Sequence, residues 1–600
     1  MKFSRLPDFR TALLLTLSGF LLGIGFAPSW LGIVAYVGFI PLLLVLERTE
    51  GVGQTLRRLY WTFFVFHGVS NWWVSSWQRE ADPYLMAAGI ALWLGHPFFF
   101  AVPMIGYKYV RGRLGRSAAL ISLPFLWTAF EWLHSLGEAS YPWQALGYTQ
   151  AYYTPVIQIA DLAGVWGLSF VIVFFNSLFA QMFFKADELS RQNASENNAL
   201  GLNSFAVRVL QITSACRVQI VIGIGVALVV VAYGAFRVRD YAHEALIKTR
   251  PTVRVGIIQP NINPWGKWQG SAQEQVLLHL RLADSLRMLT VKQVQDTSST
   301  MTSQATAQLD FVLWSETAIP YRILLPQNYP YLEALRTWAD TTRIAIVTGV
   351  PSDKLYRNRT EAPVTASVIP RMFDTLYAES FNSAMVLAPA SNITHSDAFA
   401  PYPPEVPIHR KMKLTPFAER VPYAEMFSFA VKALTWGVGI SGWGLGREQK
   451  PLPLVRERGA VRDTVQIGMV ICIESIYPAF VAEYARKGAN ILTVITNDGW
   501  FNHTPGPEQH YMIAAMRAVE TKRYVARCGN TGISGFLTPI GLSLERTTID
   551  TEAVLQASVP LCNDTTLYVH LGDWLPIAAC GWSVLALLWA IKSGRKEEKN

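Results

Sequence analysis

The sequence predicts two structural parts, an α-helical bundle that spans a membrane and an α/β domain outside it. Of 600 residues, 51% are hydrophobic and 16% are charged, and the mean hydropathy is +0.22. That composition is too apolar for a soluble protein of this length. From about Thr252 the long apolar runs give way to short β-branched segments alternating with amphipathic ones, a pattern typical of an α/β domain.

Eight apolar runs are long enough to cross a hydrocarbon core, which takes about 20 residues per helix. They are Thr11–Ser29, Leu31–Leu46, Tyr60–Trp77, Leu85–Tyr107, Ser117–Leu136, Pro155–Phe184, Val218–Phe236 and Trp574–Ile591. The first could be a cleaved leader, since Gly25-Phe26-Ala27 resembles a cleavage site, but further runs follow at once. We therefore predict seven spans in residues 1–240, an eighth in 570–592 and a short tail in 593–600.

Basic residues orient the predicted bundle, because short cytoplasmic loops carry the positive charge. They occupy the N-terminus, every second loop and the C-terminus: Lys2, Arg5, Arg10, Arg48, Arg57, Arg58, Lys108, Arg111, Arg113, Arg116, Lys185, Arg191, Arg208, Arg217, Lys592, Arg595, Lys596 and Lys599. The short loops on the other side hold only Arg79. Both termini are therefore predicted to be cytoplasmic. These flanks explain most of the net charge of +9, and no basic-aromatic cluster indicates nucleic acid as a partner.

Residues 250–565 are predicted to form the α/β domain. The predicted strands are Val253–Gln259, Phe311–Ser315, Ile344–Val350, Ala384–Leu387, Val465–Ile473, Asn490–Thr496 and Gly535–Pro539. The predicted helices are Ala272–Leu289, Tyr331–Thr341, Pro478–Arg486 and Glu508–Arg527. The segments Gln192–Asn203 and Gln295–Gln308 are polar and are predicted to be exposed insertions.

Several common chemistries have no support in the sequence. There is no HExxH motif, no Walker loop and no Cys/His cluster with zinc spacing, so neither a metal nor another cofactor is predicted. The sequences around Ser441 and Ser534 lack the second glycine of a GxSxG elbow. Five cysteines form no disulfide framework, and if Cys528 and Cys562 pair, Cys472 is left as an odd thiol.

Three residues at strand or turn ends are candidates for catalysis. Cys472 follows the apolar run VQIGMVI and precedes a helical pattern that opens at Pro478, so a helix N-terminus would lower the thiol pKa; the alternative is a buried structural cysteine. Glu316 ends the strand FVLWSE, where a carboxylate acts as a base or caps a helix. Lys411 precedes a loop that carries Glu419, and it either stabilises an oxyanion or forms a solvated basic turn.

Together these residues resemble the nitrilase superfamily, whose Glu-Lys-Cys triad occurs in this order on an αββα sandwich. Eight spans with the catalytic domain inserted before the last resemble its membrane-embedded branch, the apolipoprotein N-acyltransferase family. The similar segments are Gln259–Trp268, Trp314–Thr317, Lys413–Pro422, Cys472–Ser475, Asn497–Phe501, Asn530–Gly532, Tyr141–Trp143 and Gly164–Phe170. The resemblance covers essentially the whole chain.

The resemblance implies roles for these residues. Glu316 would be the general base, Lys411 the oxyanion partner and Cys472 the nucleophile. Further positions important in the family match the substrate-binding or supporting residues Trp268, Glu419 and Glu474. Lys413 is the alternative lysine, and the spacing to Glu419 favours Lys411. One departure is Ile473, where the family often has an aromatic residue, which puts a packing role of that position in doubt.

The implied activity is acyl transfer through a cysteine thioester in a bacterial inner membrane, with the catalytic domain in the periplasm. The donor would be a membrane phospholipid, the acceptor the α-amino group of a lipoprotein's N-terminal S-diacylglyceryl cysteine, and the enzyme a monomer. The alternative function is a membrane-tethered amidase or nitrilase that hydrolyses a small external amide.

Two further expectations concern the membrane. Phe427–Leu445 is apolar and is predicted to be a membrane-facing arm that acts with Trp265 and Trp268; the alternative is a core helix. Glu131, His134 and Asp161 lie inside predicted spans, where ionisable groups are costly, and they either pack the bundle or line a path for lipid.

Overall fold

The structure, a computed structural model, describes residues 8–77, 83–196, 211–247, 250–268, 270–297, 308–370, 375–389, 406–426, 442–458 and 461–597. The α-helices whose two ends are described are α1 (Phe9–Ile24), α2 (Ile40–Glu47), α3 (Val52–Ser70), α4 (Pro83–His134), α5 (Thr154–Ile157), α6 (Ala160–Glu196), α7 (Arg217–Ile247), α8 (Ala272–Thr297), α9 (Tyr329–Thr342), α10 (Pro478–Arg486), α11 (Pro505–Thr521), α12 (Leu567–Leu571) and α13 (Trp574–Glu597). The strands are β1 (Thr252–Gln259), β2 (Phe311–Trp314), β3 (Ala345–Tyr356), β4 (Ser367–Pro370), β5 (Thr375–Leu387), β6 (Ile408–Arg410), β7 (Leu452–Arg458), β8 (Val461–Ile471), β9 (Ile491–Thr496), β10 (Val525–Gly529), β11 (Gly535–Leu537), β12 (Ser543–Arg546) and β13 (Ala553–Pro560).

Apolar helices form the first part of the chain, and one more apolar helix, α13, follows the α/β part. Among the described residues, five stretches are long and apolar enough to cross a membrane: Trp30–Glu47, Leu85–His134, Ala160–Gln192, Arg217–Glu244 and Trp574–Gly594. A shorter apolar helix is α1, and Gly115 interrupts α4 with a φ of 87°, which a glycine adopts without steric cost. The count of eight spans stays a prediction, because length and composition identify five stretches.

Small and polar residues fix the packing of these helices. A Cβ atom added to Gly19 of α1 would lie 2.3 Å from the Thr62 carbonyl oxygen of α3, so a glycine is needed for this close approach. Asn176 of α6 accepts a hydrogen bond from the Phe39 amide at 2.8 Å and donates to the Ala35 carbonyl at 2.8 Å. These contacts satisfy backbone groups that lipid cannot hydrogen-bond.

The ionisable residues predicted inside spans contact other parts of the bundle. Glu131 accepts from Trp127 Nε1 at 2.7 Å and from the Leu146 amide at 2.9 Å. Asp161 pairs with Arg237 of α7 at 2.7 Å, and the His134 ring stacks on Phe130 at 5.6 Å between ring centroids. These contacts support the packing interpretation, since none of the three lines the cavity described below.

Two sheets form the second part of the chain, and the predicted α/β architecture is confirmed. The first sheet has the order β13-β1-β2-β3-β5-β4, with β6 on β5, and the second has the order β12-β11-β10-β9-β8-β7. Strands β1, β2 and β3 are parallel to one another, as are β8, β9 and β10. Parallel strands bring their carboxyl ends to one edge of a sheet, which is where ligands bind in open α/β sheets.

The two sheets pack face to face with helices outside each. Side chains from both sheets share one buried cluster that includes Ile257 and Leu313 of the first sheet and Ile467 and Ile495 of the second. Helices α8 and α9 cover the outer face of the first sheet. Helices α10 and α11 cover the second, and their buried residues belong to the same cluster as those of the membrane bundle. The helix layer over the second sheet is therefore sandwiched between that sheet and the bundle.

The structure corrects one sequence-based expectation and answers one question that the sequence leaves open. The helix predicted over Glu508–Arg527 ends at Thr521, Lys522 takes a φ of 52°, and Val525 begins β10. No glycine or proline marks this stop, and pairing of β10 between β9 and β11 outweighs the local helical pattern. Cys528 and Cys562 are both free and buried, so they do not form the disulfide that was considered.

Some predicted features lie outside the described residues. These are most of the arm Phe427–Leu445, most of the insertion Gln295–Gln308, part of the loop Gln192–Asn203 and several basic residues of the termini and loops, among them Lys2, Arg79, Arg208 and Lys599.

Candidate active site

The three predicted catalytic residues meet at the carboxyl ends of the strands. Glu316 follows β2, Lys411 follows β6, and Cys472 follows β8. All three line one cavity of about 210 Å³, whose wall also includes residues of the membrane bundle such as Val74 and Tyr141. The strand ends of both sheets and one end of the bundle thus share one site.

A buried lysine joins two carboxylates in this cavity. Lys411 Nζ lies 3.0 Å from Glu316 Oε1 and 2.8 Å from Glu419 Oε1. Asn382 of β5 donates through Nδ2 to the same two oxygens, at 2.7 Å and 3.3 Å. The Lys411 side chain is 1% exposed, so its charge depends on these carboxylates rather than on water.

Electrostatics favours the charged forms of Lys411 and Glu419. Burial disfavours the Lys411 ammonium, but Glu316 and Glu419 outweigh it and raise the pKa of Lys411 well above its ordinary value. Burial also disfavours the Glu419 carboxylate, yet Lys411 and the hydrogen bonds from Thr415 hold the pKa of Glu419 below its ordinary value. One cation faces two anions, so the cavity can accept a proton on a carboxylate and stabilise a negative oxygen beside Lys411.

The structure corrects the predicted state of Cys472. Burial raises the pKa of the Cys472 thiol, the Glu316 carboxylate raises it further, and Lys411 offsets this only partly. Cys472 begins a 3₁₀ helix of five residues, Cys472–Ile476, rather than a long helix. The predicted lowering of the thiol pKa by a helix terminus is therefore wrong. The resting thiol carries its proton, and its attack on a carbonyl needs a base.

The backbone at Cys472 adopts an unusual conformation. Its φ is 50°, in the left-handed region that residues other than glycine rarely enter. The carbonyl of Cys472 accepts a hydrogen bond from Ser475 Oγ at 2.9 Å and contacts His510 Nε2 at 3.2 Å. Such conformations persist at functional sites where surrounding contacts hold them.

Glu474 supports the site without lining the cavity. Its fully buried carboxylate accepts from the Met412 amide at 2.6 Å and from the Ile471 amide at 2.8 Å, and it contacts His409 Nε2 at 3.1 Å. It therefore ties the chain beside Lys411 to the strand end before Cys472.

We expect Glu474→Gln to destabilise the fold by about 2–3 kcal/mol, because one oxygen cannot accept from both buried amides and the new amide donors face a donor. Thermal unfolding of the purified protein in detergent measures the loss. The matched control is Glu483→Gln, which removes a partly exposed ion pair with Arg486 and Lys487 and should cost less than about 1 kcal/mol. Equal melting temperatures for both variants would contradict this role of Glu474.

Of the remaining predicted residues, Trp268 and Ile473 line the cavity and Lys413 does not. Trp268 lines the cavity and is 45% exposed, so it lies at the mouth. Lys413 Nζ lies 4.9 Å from the centre of the Tyr477 ring and is not among the cavity residues, which favours Lys411 as the lysine of the site. Ile473 lines the cavity and is 4% exposed, so an aliphatic side chain fills this part of the wall.

Comparison with known proteins places this site in a family. Residues 18–178 match the family model for the apolipoprotein N-acyltransferase N-terminal domain, and residues 254–567 match the carbon-nitrogen hydrolase model. An apolipoprotein N-acyltransferase of Chlorobaculum tepidum is 33% identical over 583 residues, covering 96% of each chain. The chain belongs to the apolipoprotein N-acyltransferase family.

Other relatives bear the same family name. An apolipoprotein N-acyltransferase of Geobacter metallireducens is 27% identical, covering 97% of each chain. The structure of a carbon-nitrogen hydrolase from Helicobacter pylori aligns with 51% of this chain and 89% of its own, at 14% identity and a TM-score of 0.32, which adds nothing to the family match. The apolipoprotein N-acyltransferase family membership thus covers both the bundle and the α/β part.

Sequence reasoning missed several residues of the site. Asn382 lies inside β5, where no local pattern marks it, and Lys267 lies in the segment Gln259–Trp268, whose resemblance to the family gave a role only to Trp268. Asp498 and His510 form a fully buried pair at 2.8 Å, and His510 lines the cavity. Arg527 lies 2.7 Å from Asp498 and, together with His510, holds the pKa of Asp498 at about 2 despite burial. The segment Asn497–Phe501, which resembles the family, was the sequence signal that pointed toward Asp498.

Proposed function

We propose that this protein transfers a fatty acyl chain from a membrane phospholipid to the α-amino group of the N-terminal S-diacylglyceryl cysteine of a lipoprotein. Glu316, Lys411 and Cys472 carry the reaction, Glu419 and Trp268 lie in the cavity beside them, and a cysteine thioester links the two steps. No metal or other cofactor takes part.

The single observation that carries this proposal is the composition of the cavity wall. Cys472, Glu316 and Lys411 share the cavity with Val74, Leu85 and other apolar residues of the bundle. A hydrolase of small soluble amides has no need for a site lined by membrane helices. A donor whose acyl chain stays among apolar side chains while its ester reaches the thiol fits this wall.

The first step acylates the enzyme. Glu316 takes the proton of the Cys472 thiol as sulfur attacks the ester carbonyl of the phospholipid, because the raised pKa of the thiol keeps it protonated at rest. Negative charge develops on the carbonyl oxygen, and Lys411 stabilises it. The carbon–oxygen bond of the ester then breaks, Glu316 returns the proton to the glycerol oxygen, and a lysophospholipid leaves.

The second step moves the acyl group to the acceptor. The α-amino group of the lipoprotein attacks the thioester carbonyl, and Glu316 takes a proton from the nitrogen. The carbon–sulfur bond breaks, the thiolate of Cys472 recovers a proton from Glu316, and an amide is the product. Aromatic side chains line much of the cavity and exclude water that would hydrolyse the thioester: Tyr141, Trp143, Trp265, Trp500 and Phe501.

The proposed topology has eight spans, both termini in the cytoplasm and the α/β domain in the periplasm of a bacterial inner membrane. The division of α4 at Gly115 supports two spans in that stretch. Arg111 and Arg116, near this division, pair with Glu47 at the end of α2, so positive charge gathers at one side of the bundle. Residues of the bundle's opposite end line the catalytic cavity. We also propose that the enzyme acts as a monomer, since a single chain brings Glu316, Lys411 and Cys472 into one cavity.

Intact-mass spectrometry tests this function directly. The purified full-length protein is incubated with phospholipid, with and without a synthetic diacylated lipopeptide, and compared with Cys472→Ala. We expect a hydroxylamine-sensitive fatty-acyl adduct on the wild type only, which disappears when the lipopeptide is added and reappears on its amino group.

Two outcomes would contradict acyl transfer to an amine. An adduct lost to water at the same rate with or without the lipopeptide would favour the hydrolase. The absence of any adduct on the wild-type protein would remove the thioester step. Cys580→Ala is the matched control, because that cysteine lies in α13 outside the cavity and its loss should leave the adduct unchanged.

A further inference from the structure

A second lysine lies buried in the cavity wall. Lys267 is 2% exposed, and it precedes Trp268 in the loop after β1. Among the described residues, Lys267 forms no ion pair with a carboxylate, whereas Lys411 forms two. Burying an ammonium without such a partner is costly, so its position calls for an explanation.

The ammonium of Lys267 holds the turn that carries Glu316. Its Nζ donates to the Glu316 main-chain carbonyl at 2.9 Å and to Thr317 Oγ1 at 3.0 Å. Thr317 has a φ of 48°, which a β-branched residue rarely adopts. The two hydrogen bonds therefore secure a strained turn at the point where the carboxylate of Glu316 enters the cavity.

The turn is also held by close packing against β3. A Cβ atom added to Gly349 of β3 would lie 2.3 Å from the Thr317 nitrogen and 2.8 Å from the Glu316 Cα atom. The turn thus lies against the backbone of β3 and is hydrogen-bonded to Lys267. Losing the Lys267 contact would remove one of these two supports.

Lys267 is itself fixed from two directions. Its carbonyl accepts from Gln275 Nε2 of α8 at 2.7 Å. The start of its loop is tied to the end of β10, where the Asn261 amide donates to the Asn530 carbonyl at 3.0 Å and the Ile262 amide to Asn530 Oδ1 at 3.0 Å. The loop that carries Lys267 is therefore bound to the second sheet and to α8, and the Lys267 side chain connects this loop to the turn of Glu316.

We infer that Lys267 is a positioning residue, which acts through the backbone of Glu316 to aim its carboxylate at the Cys472 thiol. The inference rests on the proposed role of Glu316 as the base. Burial also lowers the pKa of Lys267 to about 8, so the ammonium and its hydrogen bonds persist at neutral pH and weaken as the pH rises through that value.

The rate at which iodoacetamide alkylates Cys472 tests this role without any lipid substrate. Full-length protein in detergent is treated at several pH values, and the Cys472 peptide is followed by mass spectrometry. We expect Lys267→Met to slow alkylation about tenfold at pH 7, because a misplaced base loses much of its assistance. In the Glu316→Gln background the same change should have less than about a twofold effect, since the two residues act as one unit.

A second pair of variants keeps the test valid if Lys267→Met folds poorly. Thr317→Val removes one acceptor of the ammonium and keeps the shape of the side chain, whereas Thr317→Ser keeps the hydroxyl. We expect the valine variant to be slower than the serine variant in the wild-type background and equal to it in the Glu316→Gln background. Lys354→Met, at a lysine over the Tyr356 ring, is the control for loss of a charge elsewhere.

The inference is overturned if Lys267→Met alkylates at the wild-type rate, or if it slows alkylation equally in the wild-type and Glu316→Gln backgrounds. A lower melting temperature with an unchanged alkylation rate would make Lys267 merely structural and overturns it as well. These outcomes are separate from the proposed function, which fails only if the wild-type enzyme forms no acyl adduct or does not pass it to the lipopeptide.

Discussion

Replacing Lys411 by methionine is expected to lower acyl transfer on the order of 10³-fold, because the oxyanion loses the buried cation that stabilises it. The same change leaves Glu316 and Glu419 buried next to each other without the ammonium that pairs with both. Breaking a buried ion pair in this way costs about 3–5 kcal/mol of folding free energy unless one carboxylate takes up a proton. Rates of lipopeptide acylation and thermal unfolding measure the two effects.

Lys413→Met is the matched control, two residues along the same loop. That lysine packs on the Tyr477 ring outside the cavity, so the variant should acylate the lipopeptide close to the wild-type rate. If Lys413→Met were as inactive as Lys411→Met, or if Lys411→Met kept its activity, the assignment of the lysine would be wrong. Asn382 would then be the remaining donor between the two carboxylates.

Replacing Glu316 by glutamine is expected to slow formation of the acyl-enzyme by about 10²–10⁴-fold, the usual contribution of a general base. The pH dependence should change with it. Burial raises the pKa of the Cys472 thiol, so without the base only the small thiolate fraction reacts. Since that fraction grows as the pH rises, the residual rate should increase about tenfold per pH unit until the raised pKa is reached.

Quenched-flow mass spectrometry of the acyl adduct between about pH 6 and 9 would measure this profile, with Glu545→Gln on the exposed strand β12 as the control. The wild type should depend much less on pH over that range. A residual rate that does not change with pH in Glu316→Gln would contradict the role of Glu316 in removing the thiol proton.

Much of the site follows from the sequence because it lies at strand ends. Glu316 and Cys472 each end an apolar run, and parallel strands bring such ends together. Lys411 follows the short strand β6, which the pattern did not reveal, and its role came from the family resemblance. The strand cores were also predictable, since runs such as β9 are buried along their whole length.

The rest depends on contacts between distant parts of the chain. Asn382, Lys267 and His510 are ordinary polar residues in sequence, and they gain their roles only where the fold places them beside Glu316, Lys411 and Cys472. The pKa of the Cys472 thiol also depends on such contacts and could not be predicted from the local sequence. A local rule about helix termini predicted a lower value, whereas burial and the Glu316 carboxylate, which is distant in sequence, raise it.

The last helix has a consequence for how the protein is made. Helix α13 packs on α4 through Trp582 and Phe125, whose ring centroids are 4.9 Å apart, and Asp573 just before it accepts from Trp132 at 2.9 Å and Trp166 at 2.8 Å. On the proposed topology, α4 and α6 are already in the bilayer while the whole catalytic domain is synthesised and exported. Assembly of the bundle therefore needs a helix that is made after the catalytic domain, so a ribosome that stops inside that domain leaves a bundle without α13.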